Sequence, residues 1–132
     1  MVLIALLITG AFFASGQELA IARAELRDQQ ALAFAEYAAA HAIEGWDASA
    51  RESMTVGQTA TVQSAADGPL QSTVLVTMLD SALFLVVAEG RVATADAYSL
   101  RRRVGIVVRT IRDGVKITPP VRVVEQAWNE LY

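Results

Sequence analysis

The chain has 132 residues, 54% of them hydrophobic and 19% charged, and a formal net charge of −3. This length suits one domain with an appendage, and the weakly acidic balance provides no basic field that would recruit nucleic acid. Cysteine is absent and His41 is the single histidine, which excludes disulfides, thiol chemistry and a histidine-rich metal site within one chain. No cofactor is predicted.

Residues 1–16 are uncharged and mostly apolar, and the first charged side chain is Glu18. A helix of this length is about 24 Å long, whereas roughly 20 apolar residues are needed to cross a bilayer core comfortably. Three interpretations are open: a cleaved signal peptide, a single-span anchor, or a helix that rests in a membrane and later packs against copies of itself. The first lacks a preceding basic residue, and the second lacks flanking positive charge.

Small residues in the opening segment favour the third interpretation. Gly10 and Ala14 lie four positions apart, as do Ala11 and Ser15, and this spacing permits close approach between two helices. The same spacing also occurs by chance in apolar helices, so it supports self-association without establishing it.

The helical pattern continues past the apolar segment. No glycine or proline occurs from Gln17 to Ile43, and the intervening alanine, leucine, glutamine, glutamate and arginine residues are strong helix formers. Gly45 supplies a C-terminal stop. We therefore predict one helix from Met1 to about Glu44, either unbroken or with a local bend near its two early glycines.

The second part of this helix is predicted to be amphipathic. An apolar stripe follows one face, with Phe34 and His41 at its margin, and we expect this face to lie on a globular domain. The stripe consists of Leu19, Leu26, Ala33 and Tyr37.

After a polar loop at 45–54, the pattern changes to short β-rich runs. Strands are predicted at 55–64, 71–79, 81–89, 100–111 and 115–118, with turns or loops at 65–70, 89–98 and 112–114. In the fourth run, Arg102, Val104, Ile106 and Val108 are expected to face one way and the alternate residues the other. The tail is ambiguous between a short strand and a helical turn.

These elements predict an α+β fold. One long N-terminal helix, with an apolar tip and an amphipathic second half, packs on an antiparallel sheet of about four strands, because the helix is the only element able to cover the sheet. The predicted organisation is a helix at 1–45, whose residues 1–16 form a membrane or filament-core segment, and a β-rich head at 46–132. Trp46 and Trp128 are expected to pack at the helix–sheet junction.

The opening MVLIALLITGAFF resembles the mature start of type IV pilins and their pseudopilin relatives, which is also an apolar helix of similar length. The continuation ELRDQQALAFAEYAAA resembles the second half of the helix in some bacterial minor pilins. The likeness in organisation covers the whole chain, and the motif evidence is confined to the N-terminal helix.

The sequence departs from the family pattern at two positions. Met1 stands where the family usually has phenylalanine, and Ala5 stands where it usually has glutamate. In the family that glutamate is thought to pair with the N-terminal amine of a neighbouring subunit. Related subunits without it are often minor or tip components, so the resemblance implies a pilin-like subunit without deciding between a major and a minor role.

The resemblance implies a structural protein and no enzyme. The expected partners are further copies of the chain in a helical filament at the bacterial cell surface, the inner membrane before assembly, and a pilus assembly machinery. Self-assembly is expected to use the apolar tip, namely Met1, Leu3, Ile4, Leu6, Leu7, Ile8, Gly10, Ala11, Phe12, Phe13 and Ala14.

One basic cluster lies in the β-rich half of the chain. It consists of the arginines at 101–103, 109 and 112. Contact with DNA or anionic lipid is one interpretation, but we expect these arginines to pair with acidic residues of neighbouring subunits or of the same chain, for which Glu25, Asp28 and Glu36 on the helix are natural candidates. The candidates for inter-subunit pairing are Arg101, Arg103 and Arg109 with Glu25 and Asp28.

The chain offers little that indicates catalysis. Asp47, Glu52, Glu89 and Asp96 match no complete metal loop and have no partner histidine, and the serines lack a nucleophile-elbow context. Two alternatives to the filament subunit remain. The first is a single membrane-anchored subunit, namely a minor pilin, a pseudopilin or a binding domain of a secretion or envelope complex. The second is an accessory domain of an enzyme.

Overall fold

The structure is a computed structural model that describes residues 2–93, 100–113, 116–117, 120–123 and 129–131, with side chains for 12–93, 100–111 and 120–123. The elements are α1 Val2–Glu44, α2 Ala48–Glu52, β1 Thr59–Asp67, β2 Leu70–Asp80, β3 Leu83–Val92, β4 Leu100–Arg109, β5 Arg112–Asp113, β6 Lys116–Ile117, β7 Val121–Arg122 and β8 Asn129–Leu131.

The predicted α+β class is confirmed. Four long strands form an antiparallel meander in the order β1-β2-β3-β4, and the short strands β7 and β8 both pair with β4. Strands β5 and β6 form a separate two-stranded ribbon. Helix α1 packs across β2, β3 and β4, so the second half of the long helix covers one face of the sheet as predicted.

Alternation along the strands produces the core. In β2, β3 and β4 the residues at every second position are buried, and they include Val74, Val86 and Ile106, each fully inaccessible to solvent. The predicted direction of β4 is confirmed, because Val104, Ile106 and Val108 are buried on the helix side. Branched side chains suit such a pleated, half-buried surface.

The helix is continuous from Val2 to Glu44, so an unwound turn at its early glycines is excluded. Gly16 lies within it, and a methyl group placed there would meet no atom within 4 Å. A glycine in a helix interior costs up to about 1 kcal/mol relative to alanine. The surrounding helix formers therefore offset a modest local penalty.

The predicted sheet-facing stripe of α1 is wrong. Leu19, Leu26 and Tyr37 are exposed, with 52%, 56% and 63% of their surface accessible, and Ala33 is also exposed. The face that lies on the sheet consists instead of small residues, which are all at most 5% exposed: Ala31, Ala35, Ala38, Ala39 and Ala42.

The reason for this choice of face is steric. The sheet surface already carries valine, isoleucine, methionine and phenylalanine side chains, so the helix must contribute small residues if its backbone is to come close. At Gly90 of β3 the approach is closest, because a Cβ built there would lie 2.1 Å from the carbonyl oxygen of Ala31. Dense packing of this kind is characteristic of protein interiors.

The predicted loop at 45–54 contains the short helix α2. Asp47 caps its start, and its carboxylate accepts hydrogen bonds from the backbone N–H groups of Ser49 and Ala50 at 3.1 and 3.2 Å. Hydrogen bonds from the Ser49 hydroxyl and from these backbone groups lower the pKa of Asp47. An aspartate before an alanine-rich run is a recognisable start signal for a helix.

Strand boundaries differ from the prediction at both ends of the first hairpin and in the later turns. Strand β1 begins at Thr59 because Gly57 adopts a φ of 85° in a turn just before it. Strand β3 continues through Val92 into the predicted loop, and the predicted turn at 112–114 begins with β5. The predictions for 94–99, for Trp128 and for the side chains of residues 1–11 lie outside the described residues.

Candidate functional site

The first part of α1 projects away from the sheet. Every side chain from residue 12 to residue 27 is exposed, and Asp28 is the first that is partly covered. Phe12 and Phe13 are 76% and 71% accessible. Within the part of the chain that the structure describes, no helix is both long and apolar enough to cross a membrane.

A continuous apolar face runs along the outside of α1. Phe12, Leu19, Leu26 and Ala33 follow one another at intervals of seven residues, with Tyr37 one turn further on. Residues seven apart lie on nearly the same side of a helix, so these side chains form one apolar row, although the positions between them carry small or polar residues such as Gly16, Arg23 and Gln30. We call these five residues the outer stripe; all are exposed in the single chain.

The predicted self-assembly residues lie at the tip of this projecting helix. Phe12, Phe13 and Ala14 are exposed, and residues 2–11 continue the same helix. Met1 and the side chains of the remaining candidates lie outside the described residues, namely Leu3, Ile4, Leu6, Leu7, Ile8, Gly10 and Ala11.

The predicted charge candidates divide into two groups. Asp28 accepts two hydrogen bonds from Arg102, from Nε to Oδ1 and from Nη2 to Oδ2, each at 2.6 Å. Arg103 pairs with Glu89, so two of the candidates have partners in their own chain. Arg101, Arg109 and Glu25 are exposed, and among the described residues they form no ion pair, which leaves their charges available to a neighbour.

Arg102 belongs to the basic cluster at 101–103, and pairing of that cluster with helix acids of the same chain is confirmed by its contact with Asp28. It was not among the arginines named for inter-subunit pairing, because the strand pattern does not indicate which arginine reaches a residue 74 positions earlier. The bidentate pair lies at the point where α1 leaves the sheet. The side chains before Asp28 are exposed, and those after it include the buried alanines.

A second charge cluster lies on the sheet face opposite the helix. Glu89 is only 8% exposed, and its two carboxylate oxygens accept hydrogen bonds from Arg91 and, at 2.5 Å, from Arg103. Burial raises the pKa of Glu89, but the hydrogen bonds and charges of the two arginines outweigh burial and lower it overall. With two arginines on one carboxylate, the cluster carries one net positive charge, and both oxygens of Glu89 are already engaged.

The Asp28–Arg102 pair predicts a pH-dependent contribution to stability. The hydrogen bond from Arg102 lowers the pKa of Asp28 below its ordinary value of 3.8. The contribution is therefore complete at neutral pH and is lost as the pH falls below about 4 and through the lowered pKa. We expect Asp28→Asn to reduce the free energy of unfolding by about 0.5–1 kcal/mol at pH 7, since the pair is partly exposed.

Thermal unfolding of wild type and Asp28→Asn at pH 7 and pH 3 tests this expectation. The difference in Tm should shrink at pH 3, where the wild-type carboxylate is increasingly protonated. Arg101→Gln, which removes an exposed charge from the same strand, serves as a control. An equal difference at both pH values would show that ionisation of Asp28 contributes nothing.

Among the residues whose side chains are described, no group of three or more histidine, aspartate or glutamate side chains is placed to hold a metal ion. The features that stand out are therefore the projecting tip, the outer stripe and the unpaired surface charges.

No family model matches this sequence, and no curated protein or solved structure matches it either.

Proposed function

We propose that this protein is a pilin-like structural subunit that assembles through its N-terminal helix into an extracellular filament of the type IV pilus kind. The observation that supports the proposal most strongly is the exposed apolar half of α1. Two phenylalanines more than 70% accessible, followed by the outer stripe, form a long apolar surface that the head does not cover.

The physical argument is that such a surface needs a partner. Burying a phenylalanine or leucine side chain contributes about 1.5–3 kcal/mol relative to full exposure, and exposed apolar patches mark sites of association. The same row on another copy of α1 would bring apolar side chains against these apolar side chains. A second copy of the chain carries the same apolar helix, so self-association needs no other partner.

The geometry of such an assembly follows from the asymmetry of the chain. When tips pack beside one another in a stagger, each subunit uses one surface towards the subunit before it and a different surface towards the subunit after it. Such heterologous contacts produce open helical fibres when the rotation between subunits does not close a ring. The heads then form the filament surface. Before assembly, the uncharged segment at 1–16 would lie in the inner membrane, from which an assembly machinery would take it.

Electron microscopy of the purified protein and of sheared cell surfaces tests the proposal. Fibres are expected, and their absence under all conditions, with discrete membrane-bound particles instead, would favour a single anchored subunit of a secretion or envelope complex.

Close packing of the tips makes a further prediction. Ala14→Leu is expected to abolish fibres, because a large side chain would keep neighbouring tip helices apart, while insertion of the tip into membranes should remain intact. Ala24→Leu, an exposed alanine of the same helix beyond the tip, is the matched control and should retain fibres. Microscopy and membrane fractionation provide the two measurements. Normal fibres from Ala14→Leu would contradict the packing of tips against one another.

A further inference from the structure

A cavity of about 450 Å³ lies at the end of the head where α1 stops. Its walls come from Trp46 after the end of α1, from helix α2, from the turn between β2 and β3, and from Thr110 after β4. Small-molecule sites commonly occupy about 300–1,000 Å³. The cavity lies at the opposite end of α1 from the projecting tip, so a ligand could reach it in a monomer and in a filament alike.

One side of the cavity is apolar and aromatic. The rings of Trp46 and Phe84 meet edge to face, with centroids 5.2 Å apart and planes at 75°, and Met78 completes this wall. Ser81 and Thr110 bring hydroxyl groups to the same cavity. An apolar lining with a few polar groups is the usual composition of a site for a small organic molecule.

Arg51 supplies a buried positive charge. The residue is only 8% exposed and lines the cavity, and its guanidinium carbon lies 5.7 Å from the centre of the Trp46 ring. Its Nη1 group donates a weak hydrogen bond to Met54 Sδ at 3.7 Å. Among the described residues no carboxylate forms an ion pair with Arg51, in contrast to Arg91, Arg102 and Arg103, which all have one.

Two buried donors at this place have no acceptor in the part of the chain that the structure describes. They are Nε of Arg51 and the indole Nε1 of Trp46. Buried polar groups are nearly always hydrogen-bonded, and an unpaired buried charge carries a substantial desolvation cost. Arg51 lines the cavity, so a ligand that brings negative charge beside its guanidinium would offset part of the cost of burying that charge.

We infer that the cavity is a binding site for a small monocarboxylate with an apolar body. A carboxylate matches the forked donors of a guanidinium, and the Trp46–Phe84 wall would hold the apolar part. Within the described part of the chain only one arginine lines the cavity, and its single positive charge matches one carboxylate better than a dianion such as phosphate. The carboxylate could belong to a free acid or to the C-terminus of a peptide.

Ligand-observed NMR on the full chain tests the site, because the method works with monomers and with assemblies. The probes are phenylacetate as a free acid, N-acetyl-phenylalanine as a peptide C-terminus, and phenylacetamide as the neutral analogue of the first. At least one carboxylate should bind with a Kd below 1 mM, on the order expected for so small a ligand, and phenylacetamide should bind at least tenfold more weakly than phenylacetate.

Arg51→Met is expected to weaken binding of the carboxylate at least tenfold. The loss should be specific to the charged ligand, so phenylacetamide should bind the variant as it binds the wild type; an arginine that only maintains the shape of the cavity would change the binding of both probes. Arg101→Gln, at the far end of β4, is the matched control and should bind as wild type. Should Arg51→Met fail to fold, the comparison of phenylacetate with phenylacetamide on the wild type still decides the question.

The outcomes separate cleanly. Binding of either carboxylate with the expected preference over the amide supports the site, and the better probe identifies the source of the carboxylate. Binding of neither, equal binding of the amide, or stronger binding of inorganic phosphate would overturn the inference.

Discussion

Replacing Leu19 and Leu26 together by lysine is expected to abolish filament formation while leaving the head folded. Both side chains are more than half exposed and lie in the outer stripe. In an assembly that buries this stripe, two ammonium groups would have to lose their hydration without a partner, which costs several kcal/mol for each charge. In the single chain they remain in water, so the Tm should change by no more than about 3 °C, as for an exposed substitution.

Electron microscopy and sedimentation measure assembly of this variant, and circular dichroism measures the Tm. Ala24→Lys provides the control for added charge, because Ala24 is exposed and lies two positions from Leu26, about 200° around the helix. The control should assemble markedly better than the double variant. Filaments of normal length from Leu19→Lys/Leu26→Lys would show that the outer stripe is not an assembly surface.

The second large effect is expected at the closest contact between helix and sheet. Gly90→Ala places a methyl group 2.1 Å from the carbonyl oxygen of Ala31 and 2.9 Å from the backbone nitrogen of Ala35. Neither backbone atom can rotate away as a side chain would, so α1 must lift from β3. Overpacking costs about 1–3 kcal/mol when side chains can adjust, and we expect the upper end of that range or more here.

For a domain of this size a loss of about 3 kcal/mol corresponds to a decrease of roughly 10 °C in Tm. Gly16→Ala is the control, because the same change in the projecting part of α1 meets no atom within 4 Å. It should raise helix stability by up to about 1 kcal/mol. If Gly90→Ala unfolded at the wild-type temperature, the tight approach of α1 to β3 would be disproved.

The strands that carry the core could be predicted from the sequence alone. The runs at 71–79 and 100–111 alternate between the two faces of the sheet, and the structure places β2 at Leu70–Asp80 and β4 at Leu100–Arg109. Alternation with a period of two is a local property, so it can be recognised without knowledge of the tertiary contacts. The start of β1 was displaced because Gly57 and Gln58 make a turn whose hydrogen bonds reach Met78 in the neighbouring strand.

The face of the helix that meets the sheet could not be predicted in the same way. Hydrophobic periodicity favoured Leu19, Leu26 and Tyr37, because large apolar side chains usually face a core. Ala31 and Ala35 are buried in their place because the sheet already fills the space between the two layers. Steric fit between the two layers depends on the side chains of both the helix and the sheet. The periodicity of the helix sequence contains information about the helix only.

The candidate cavity illustrates the same limit. Nothing in the local sequence around Arg51 indicates that it is buried, and its position becomes unusual only because Trp46 and Met54 contact its guanidinium in the folded chain. Pairing of the basic cluster with helix acids was predicted as one alternative, but the choice of Arg102 for Asp28 could not be predicted, since the two residues lie 74 positions apart. Long-range pairs of charges have no short-range signature.

The sequence by itself determined a long helix with an apolar beginning, a β-rich second half and the absence of cysteine chemistry, because composition and periodicity are local and additive. Only the tertiary structure decided which face of the helix packs on the sheet and which face remains exposed. That division depends on the volume left between helix and sheet, where Gly90 and the alanine face permit an approach that larger residues would prevent.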